Sequence, residues 1–385
     1  MPPLPTTTIL RTPRRSRSGL ASLLRCGLAS ALLSALVPGV AVGKTSLDLG
    51  AHGQVRHVAG PAVDDPATGD DESALPARNE LLLRRLRLGA SLRQGDLRAK
   101  VLFGLDRGKP RLLTGSLRWR LDERLDLELG QHKRLLSQGY LDSSRHQRLP
   151  ERAELYDDFG GNRDIGLSAR FRPMRRFELR LAVWNGAGPN VVGNDTGRPW
   201  VEGRATLWLG RRFSTEDPAI GRRPGLMLGV AAVQGHASAV RSGKSGLLTR
   251  ADSHLGASSF VAVRAYRLLA QVEVLYSQDD PIDARADQST TLDVASVSRL
   301  GVVAQLAFQP VPTWELAARY AFQDPNRDDP DQLGNTIEVG VGWRPDRDDD
   351  RKLQLAVQRE HDGRPNGQSY DRWRVMTQLQ WSLSK

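Results

Sequence analysis

The 385-residue sequence predicts an all-β protein: a transmembrane, antiparallel, up-and-down β-barrel of about sixteen strands. Three observations carry this: apolar and polar residues alternate with period two, the alternating segments are even in number, and their connections switch between short and long.

Helical periodicity is almost absent, whereas alternation recurs along the chain. Leu47, Leu49, Ala51, Gly53 and Val55 interleave with Asp48, Gly50, His52, Gln54 and Arg56. Leu97, Ala99, Val101, Phe103 and Leu105 interleave with Arg98, Lys100, Gly104 and Asp106. Trp373, Val375, Thr377, Leu379, Trp381 and Leu383 interleave with Arg372, Arg374, Met376, Gln378, Gln380 and Ser382. Successive side chains of a strand point to opposite faces, so each segment has one apolar and one polar face. Such segments begin near residues 46, 80, 97, 112, 124, 163, 177, 200, 226, 254, 267, 299, 313, 334, 352 and 372. An even number returns both chain ends to the same rim, as bacterial barrels require.

The connections separate a barrel from a soluble sandwich. Tight turns are read at Gln94-Gly95-Asp96, Asp122-Glu123, Met174-Arg175-Arg176, Tyr266-Arg267 and Pro310-Val311-Pro312. The intervening connections, roughly 60–78, 139–162, 188–199, 238–252, 279–297, 325–332 and 362–371, are mostly longer and polar. Short periplasmic turns opposite long extracellular loops are the pattern of outer-membrane barrels. The connection at 213–225 falls on the short-turn side yet is long, and nothing in the sequence accounts for it.

Residues 1–43 carry five arginines and no acid, an apolar run from Gly27 to Val37 and a small-residue exit at Ala41-Val42-Gly43. That is the make-up of a cleaved signal peptide, leaving 44–385 as the barrel and directing it to the bacterial outer membrane. The single cysteine, Cys26, lies in this segment behind Arg25 rather than a small residue, which argues against a lipoprotein anchor. A mature chain without disulfides needs another source of stability, and a closed sheet in lipid supplies one. The formal charge of +11 falls by five to +6 without the segment; export argues against nucleic acid as the partner of this basic surface.

Trp314, Tyr320, Phe322, Trp343, Trp373 and Trp381 lie near several strand ends, where a barrel places interfacial girdles; in a sandwich they would be core. The last residue, Lys385, is not the aromatic common at barrel C-termini.

If the apolar faces meet lipid, the other faces line a lumen. They carry Arg85, Arg87, Arg93, Arg98, Lys100, Arg118, Arg120, Arg170, Arg172, Arg180, Arg204, Arg264, Arg319, Arg344, Arg372 and Arg374. Fewer acids share these faces: Asp48, Asp126, Glu128, Glu178, Glu273, Glu315 and Glu338. A water-filled passage with excess positive charge concentrates anions, because its low-dielectric wall limits screening. The plainer reading is that any one of these arginines pairs across neighbouring strands and braces the wall. Arg98, Lys100, Arg118, Arg120, Arg180, Arg319, Arg372 and Arg374 are the lumen candidates for an anion path.

The loop near 135–162 is a candidate constriction that folds inward, bringing Lys133, Arg134, Arg145, Arg148 and Arg152 towards the path. Arginine presents a planar fork suited to phosphate or carboxylate oxygens. The alternative is that these side chains pair with Glu151, Glu154, Asp157 and Asp158 and only stiffen the loop. Lys133 is the residue placed foremost on the path, and the Glu151-Arg152 and Asp157-Asp158 part is read as mainly holding the loop.

An enzyme needs a nucleophile with a nearby base and an orienting partner. The seven histidines come without a Gly-x-Ser-x-Gly elbow or metal-ligand spacing, so no catalytic residue, metal or cofactor is expected. A barrel-type hydrolase and a plugged structural or adhesive barrel are the alternatives.

The motifs Gly130-Gln131-His132-Lys133, Asp142-Ser143-Ser144, Pro150-Glu151-Arg152, Asp158-Phe159, Asn162-Arg163-Asp164-Ile165-Gly166 and Val183-Trp184-Asn185-Gly186-Ala187-Gly188 resemble those of the phosphate-selective porins of the O and P type. The match is good over about 80–212. It implies a sixteen-stranded barrel, a homotrimer in outer-membrane lipid, passing small anions such as phosphate or polyphosphate by diffusion. By position Lys133, Arg152 and Arg163 match the basic residues of the family's motifs. Arg134-Leu135-Leu136 stands where the family has a proline-containing segment.

Overall fold

The structure is a computed structural model that describes residues 45–61, 78–106, 109–159, 162–191, 193–194, 198–218, 220, 222–241, 248–287, 290–292, 296–327, 332–345, 350–363 and 369–384. The segment 1–43 read as a signal peptide lies outside these residues, as do parts of several long connections.

In chain order the strands are β1 (Thr45–Gly60), β2 (Arg78–Gln94), β3 (Leu97–Asp106), β4 (Lys109–Arg120), β5 (Leu125–Lys133), β6 (Arg163–Met174), β7 (Phe177–Trp184), β8 (Trp200–Gly210) and β9 (Arg222–Arg241). They continue with β10 (Leu248–Tyr266), β11 (Leu268–Asp287), β12 (Thr290–Leu292), β13 (Val297–Val311), β14 (Trp314–Asp324), β15 (Gly334–Trp343), β16 (Arg351–Gly363) and β17 (Ser369–Ser384). Two single-turn helices, α1 (Gln138–Leu141) and α2 (Leu155–Asp158), lie between β5 and β6. Neighbours pair antiparallel, and β1 closes the ring on β17 from Gly50↔Ser384 to Ala59↔Val375. The three-residue β12 pairs only with the end of β11, while β11 pairs directly with β13. The wall is therefore a closed barrel of sixteen strands.

Strand starts fall within a few residues of the expected positions; the largest departures are β9 and β10, which begin at Arg222 and Leu248. Period two is a local property, and it holds because the two faces of each strand meet different surroundings. On β17, Trp373, Val375, Leu379 and Leu383 are exposed on the outside, whereas Met376, Gln378, Gln380 and Ser382 are buried inside. Trp119, Tyr266, Phe308, Trp314 and Trp343 are exposed near the short-turn rim, and the rings of Trp314 and Trp343 are 6.4 Å apart. This is the belt position where an aromatic ring bridges apolar and polar surroundings.

One irregularity has a use. The register of β1 with β2 shifts between Gln54↔Arg85 and Val55↔Leu83, leaving Arg84 as an extra residue. Such a bulge reverses the alternation, so the consecutive Arg84 and Arg85 both reach the interior.

Candidate functional site: the folded-in loop and the cavity beside it

The segment between β5 and β6 turns into the barrel and is held by inward side chains from around the ring. Its approach is set within β5 at Gly130, whose φ of +116° and whose place against Gly115, where a Cβ would sit 2.2 Å from the carbonyl oxygen, admit no side chain. The Leu135 and Gln138 amides donate to Glu202 and Glu273 at 2.8 and 2.7 Å, and Arg204 donates to the Leu135 carbonyl at 3.0 Å. On the far wall Lys352 donates to the Gln147 carbonyl at 2.6 Å, Gln354 to that of Arg148 at 2.8 Å and Gln380 to that of Arg145 at 2.9 Å. Buried backbone groups of a loop need partners, and here the wall supplies them. Leu155, Tyr156 and Phe159 pack against Leu275, Val303 and Ala321 and close that side with an apolar cluster.

Glu151 is the hub. Arg56, Arg84 and Arg85 from β1 and β2 all converge on its carboxylate. The loop's own bases do not take it, contrary to the expectation of pairing within the loop. Burial would raise the Glu151 carboxyl, but Arg85, Arg56 and Arg84 prevail and hold it well below the usual carboxylate range.

Lys133, the residue expected foremost on the path, lines the cavity described below, and its ammonium is committed to the loop. Its ammonium donates to the carbonyls of Tyr140, Leu141 and Asp142 at 2.9, 2.7 and 2.9 Å, filling all three donors at the end of α1. Arg145 and Arg148, by contrast, pair with Asp350 and Glu315 and do not line that cavity. Arg152 donates to Gly139 and Asp142 carbonyls at 2.8 and 2.6 Å, and its guanidinium lies 4.8 Å from the Tyr140 ring centre. Arg134 lies over Trp200 at 4.1 Å. Arg319 and Arg372 pair with Glu338 and Glu360 on neighbouring strands, and Arg120 stands at the rim, 3.8 Å from Asp126. These three do not line the cavity described below, because carboxylates on adjacent strands claim them.

The long connection on the short-turn side, 211–221, now has a structural account. Phe213 is buried, its carbonyl accepting from Trp208 Nε1 at 2.9 Å. Beyond it the chain rises to meet the loop from the opposite rim. Arg148 donates to the carbonyls of Thr215 and Asp217 at 2.9 Å each, and the Thr215 hydroxyl donates to Asp142 at 2.7 Å. Glu216 accepts from the Ser143 amide, and Arg264 pairs with Asp217 at 3.1 Å. Asp142, whose carboxyl burial pushes up, also accepts from Gln138 at 2.7 Å. Two segments from opposite rims thus fill one side of the bore.

What stays open is a cavity of about 2260 Å³. Its outer part is bordered by Asn335, His361 and Asp362, near the long-loop ends of β15 and β16. Its deep part lies against β2–β7 and ends at Arg98, Arg118, Arg170 and Arg180, a few positions from the short turns. Here like charges stand opposite one another: Arg98↔Arg118 across β3 and β4, and Arg170↔Arg180 across β6 and β7. Arg118 has Glu128 at 2.5 Å and Arg180 has Glu178 at 2.7 Å, whereas among the described residues the Arg98 side chain has only the Ser91 hydroxyl at 3.0 Å. Among the described residues Lys100 reaches the cavity without a hydrogen-bond or ion-pair partner, and the Arg163 guanidinium has the Thr114 hydroxyl alone. Like charges directly opposite are destabilising in a sheet, so a water-filled face carrying them attracts anions.

The motif residues meet in space. Gln131 accepts from the Asn190 amide at 2.7 Å, and Asp164 accepts from that of Gly186 at 3.0 Å, tying the 188–199 connection to the loop's base. His132 contacts the Ser168 hydroxyl at 2.9 Å, but its other nitrogen faces the Gly130 carbonyl at 3.0 Å rather than the carboxylate of a hydrolase triad. Among the described residues no group of three His, Cys, Asp or Glu is set to hold a metal ion.

No family model matches the chain, and no curated protein matches it. Solved structures do. An anion-selective porin from Comamonas acidovorans superposes with a TM-score of 0.60 at 11% identity, covering 88% of this chain and 100% of that one. The outer membrane channel DcaP of Acinetobacter baumannii gives 0.59 at 13% identity, covering 90% and 100%. OmpT, an outer membrane protein of Vibrio cholerae in its trimer form, gives 0.56 at 11% identity, covering 88% and 100%. At such identities the likeness is one of fold: this chain has the barrel architecture of outer-membrane porins and channels.

Proposed function

We propose that the protein is an outer-membrane porin through which small anions diffuse. The observation that supports this most is the cavity's deep end, where Arg98, Lys100, Arg118, Arg163, Arg170 and Arg180 outnumber Asp126 and Glu128. The outward apolar face suits lipid, and the anion-selective Comamonas barrel is similar in fold. Phosphate or polyphosphate is the solute class that the motif resemblance implies, and Arg forks suit such oxygens. By analogy with the trimer form of the Vibrio cholerae protein, the working assembly is a homotrimer.

Single-channel recording tests the reading. Under a tenfold chloride gradient the reversal potential takes the anion sign, and Lys100→Glu with Arg98→Glu moves it towards the cation sign. A cation-selective wild type ends the anion part; no conductance steps at all end the porin part. Crosslinking in mild detergent should trap trimers, and a purely monomeric product would remove that assembly.

A further inference from the structure

The charges along the cavity are not evenly mixed. Lining its outer part are Glu80, Glu154, Asp157, Asp158 and Asp362, on the outer ends of β2 and β16 and on the loop around α2. The bases there are largely claimed: Arg84 by Glu151, Arg111 and Arg87 by Asp106, Arg299 by Asp279, and Arg374 by Glu360 and Glu154. Lining its deep part are Arg98, Lys100, Arg118, Arg170 and Arg180, with Asp126 and Glu128 as the acids. Asp126 is itself shared by Arg170 and Arg172, so it cannot neutralise the row.

We infer that this passage is electrically polarised along its axis, acidic at the long-loop mouth and basic at the short-turn end, and that it therefore rectifies ionic current. The inference rests on the open-pore reading above and goes beyond it, since a uniformly basic pore selects anions without rectifying. The physics is that of two oppositely charged zones in series. Cations are the mobile carriers in the acidic zone and anions in the basic zone. A field that drives cations inward from the acidic mouth, and anions outward from the basic end, brings both carriers into the junction and raises its conductance. The opposite field empties the junction and lowers it. Conductance is therefore higher when the long-loop side is held positive. Fixed charges act over a Debye length, about 10 Å at 0.1 M salt and about 3 Å at 1 M, so the asymmetry belongs to dilute salt.

The same physics names the residues that carry it. Lys100, without a partner among the described residues, dominates the deep zone together with Arg98. Asp157, exposed on α2, is the outer charge most easily removed without disturbing a strand. Neutralising one zone turns a two-zone passage into a one-zone passage.

The test is bilayer recording of the intact protein with its orientation marked. The chain after residue 43 has no cysteine, so Val191→Cys on the 188–199 connection gives a unique thiol. A bulky membrane-impermeant maleimide added to one compartment then reports which side the long loops face. In 0.05 M potassium chloride the current at equal and opposite voltages should differ by roughly twofold, larger with the long-loop side positive, and become nearly equal at 1 M. Lys100→Gln and, separately, Asp157→Asn should each bring the ratio towards one. Equal currents at low salt, or a ratio of the opposite sense, overturn the inference while leaving the porin reading in place. A ratio unchanged in both variants overturns it as well. Absence of any conductance instead removes the open-pore reading on which it rests.

Discussion

Lys133 and Lys100 show how one residue type is given two tasks by its surroundings. Lys133 donates to three carbonyls at the end of α1, so it acts as a strut. Lys133→Met should loosen the loop, since hydrogen bonds to a charged group contribute about 1.5–3 kcal/mol each. Open-channel noise should rise while the sign of the reversal potential stays that of the wild type. Glu151 is the complementary case. Glu151→Gln leaves Arg56, Arg84 and Arg85 crowded without their carboxylate, a loss of about 3 kcal/mol or more for a largely buried partner. Limited proteolysis should then cut within 143–152 where the wild type resists. Because the folded-state carboxyl of Glu151 lies below its unfolded value, its anchoring is fully present above the usual carboxylate range. It is lost only as pH falls through the depressed value. Protease protection should accordingly hold from neutral pH down through pH of about 4, and protection lost already near pH 6 would contradict the assignment.

At the scale of elements the segment 211–221 acts as a second inward-folded piece. Replacing 214–217 by a short glycine linker removes the contacts to Asp142, Ser143 and Arg148, and single-channel conductance should increase because the filled side of the bore opens. An unchanged conductance would mean that the loop seals that side alone. This element also marks what could be read from the chain. Strand positions and faces were legible because alternation needs only near neighbours. The inward course of the loop was legible from its length and place. Its anchors were not, since Gln380 and Arg145 are 235 positions apart and nothing local couples them. The bulge at Arg84 leaves no mark either: it shows only when β2 is laid against β1. For 211–221 the sole signal was an excess of length, whereas Thr215, Glu216 and Asp217 read as ordinary rim residues. Of the site, Arg98, Lys100 and Arg118 were placed on the inner face by parity alone. The commitment of Lys133 to the loop was not legible, because sequence shows a charge at a strand end but not the three carbonyls waiting for it.

At the scale of the molecule the ring and its contents depend on each other. The loop takes hydrogen bonds or ion pairs from β1, β2, β8, β10, β11, β14, β16 and β17, which means from strands on both sides of the β1–β17 seam. An open sheet cannot present these partners together. Full docking of the loop therefore needs the closed ring, and the docked loop acts as a keystone that opposes reopening. Refolding followed by proteolysis should show strand protection appearing before protection of 143–152. Weakening the seam, as with His52→Ala and Ser382→Ala together, should slow loop docking and hasten unfolding in the same protein.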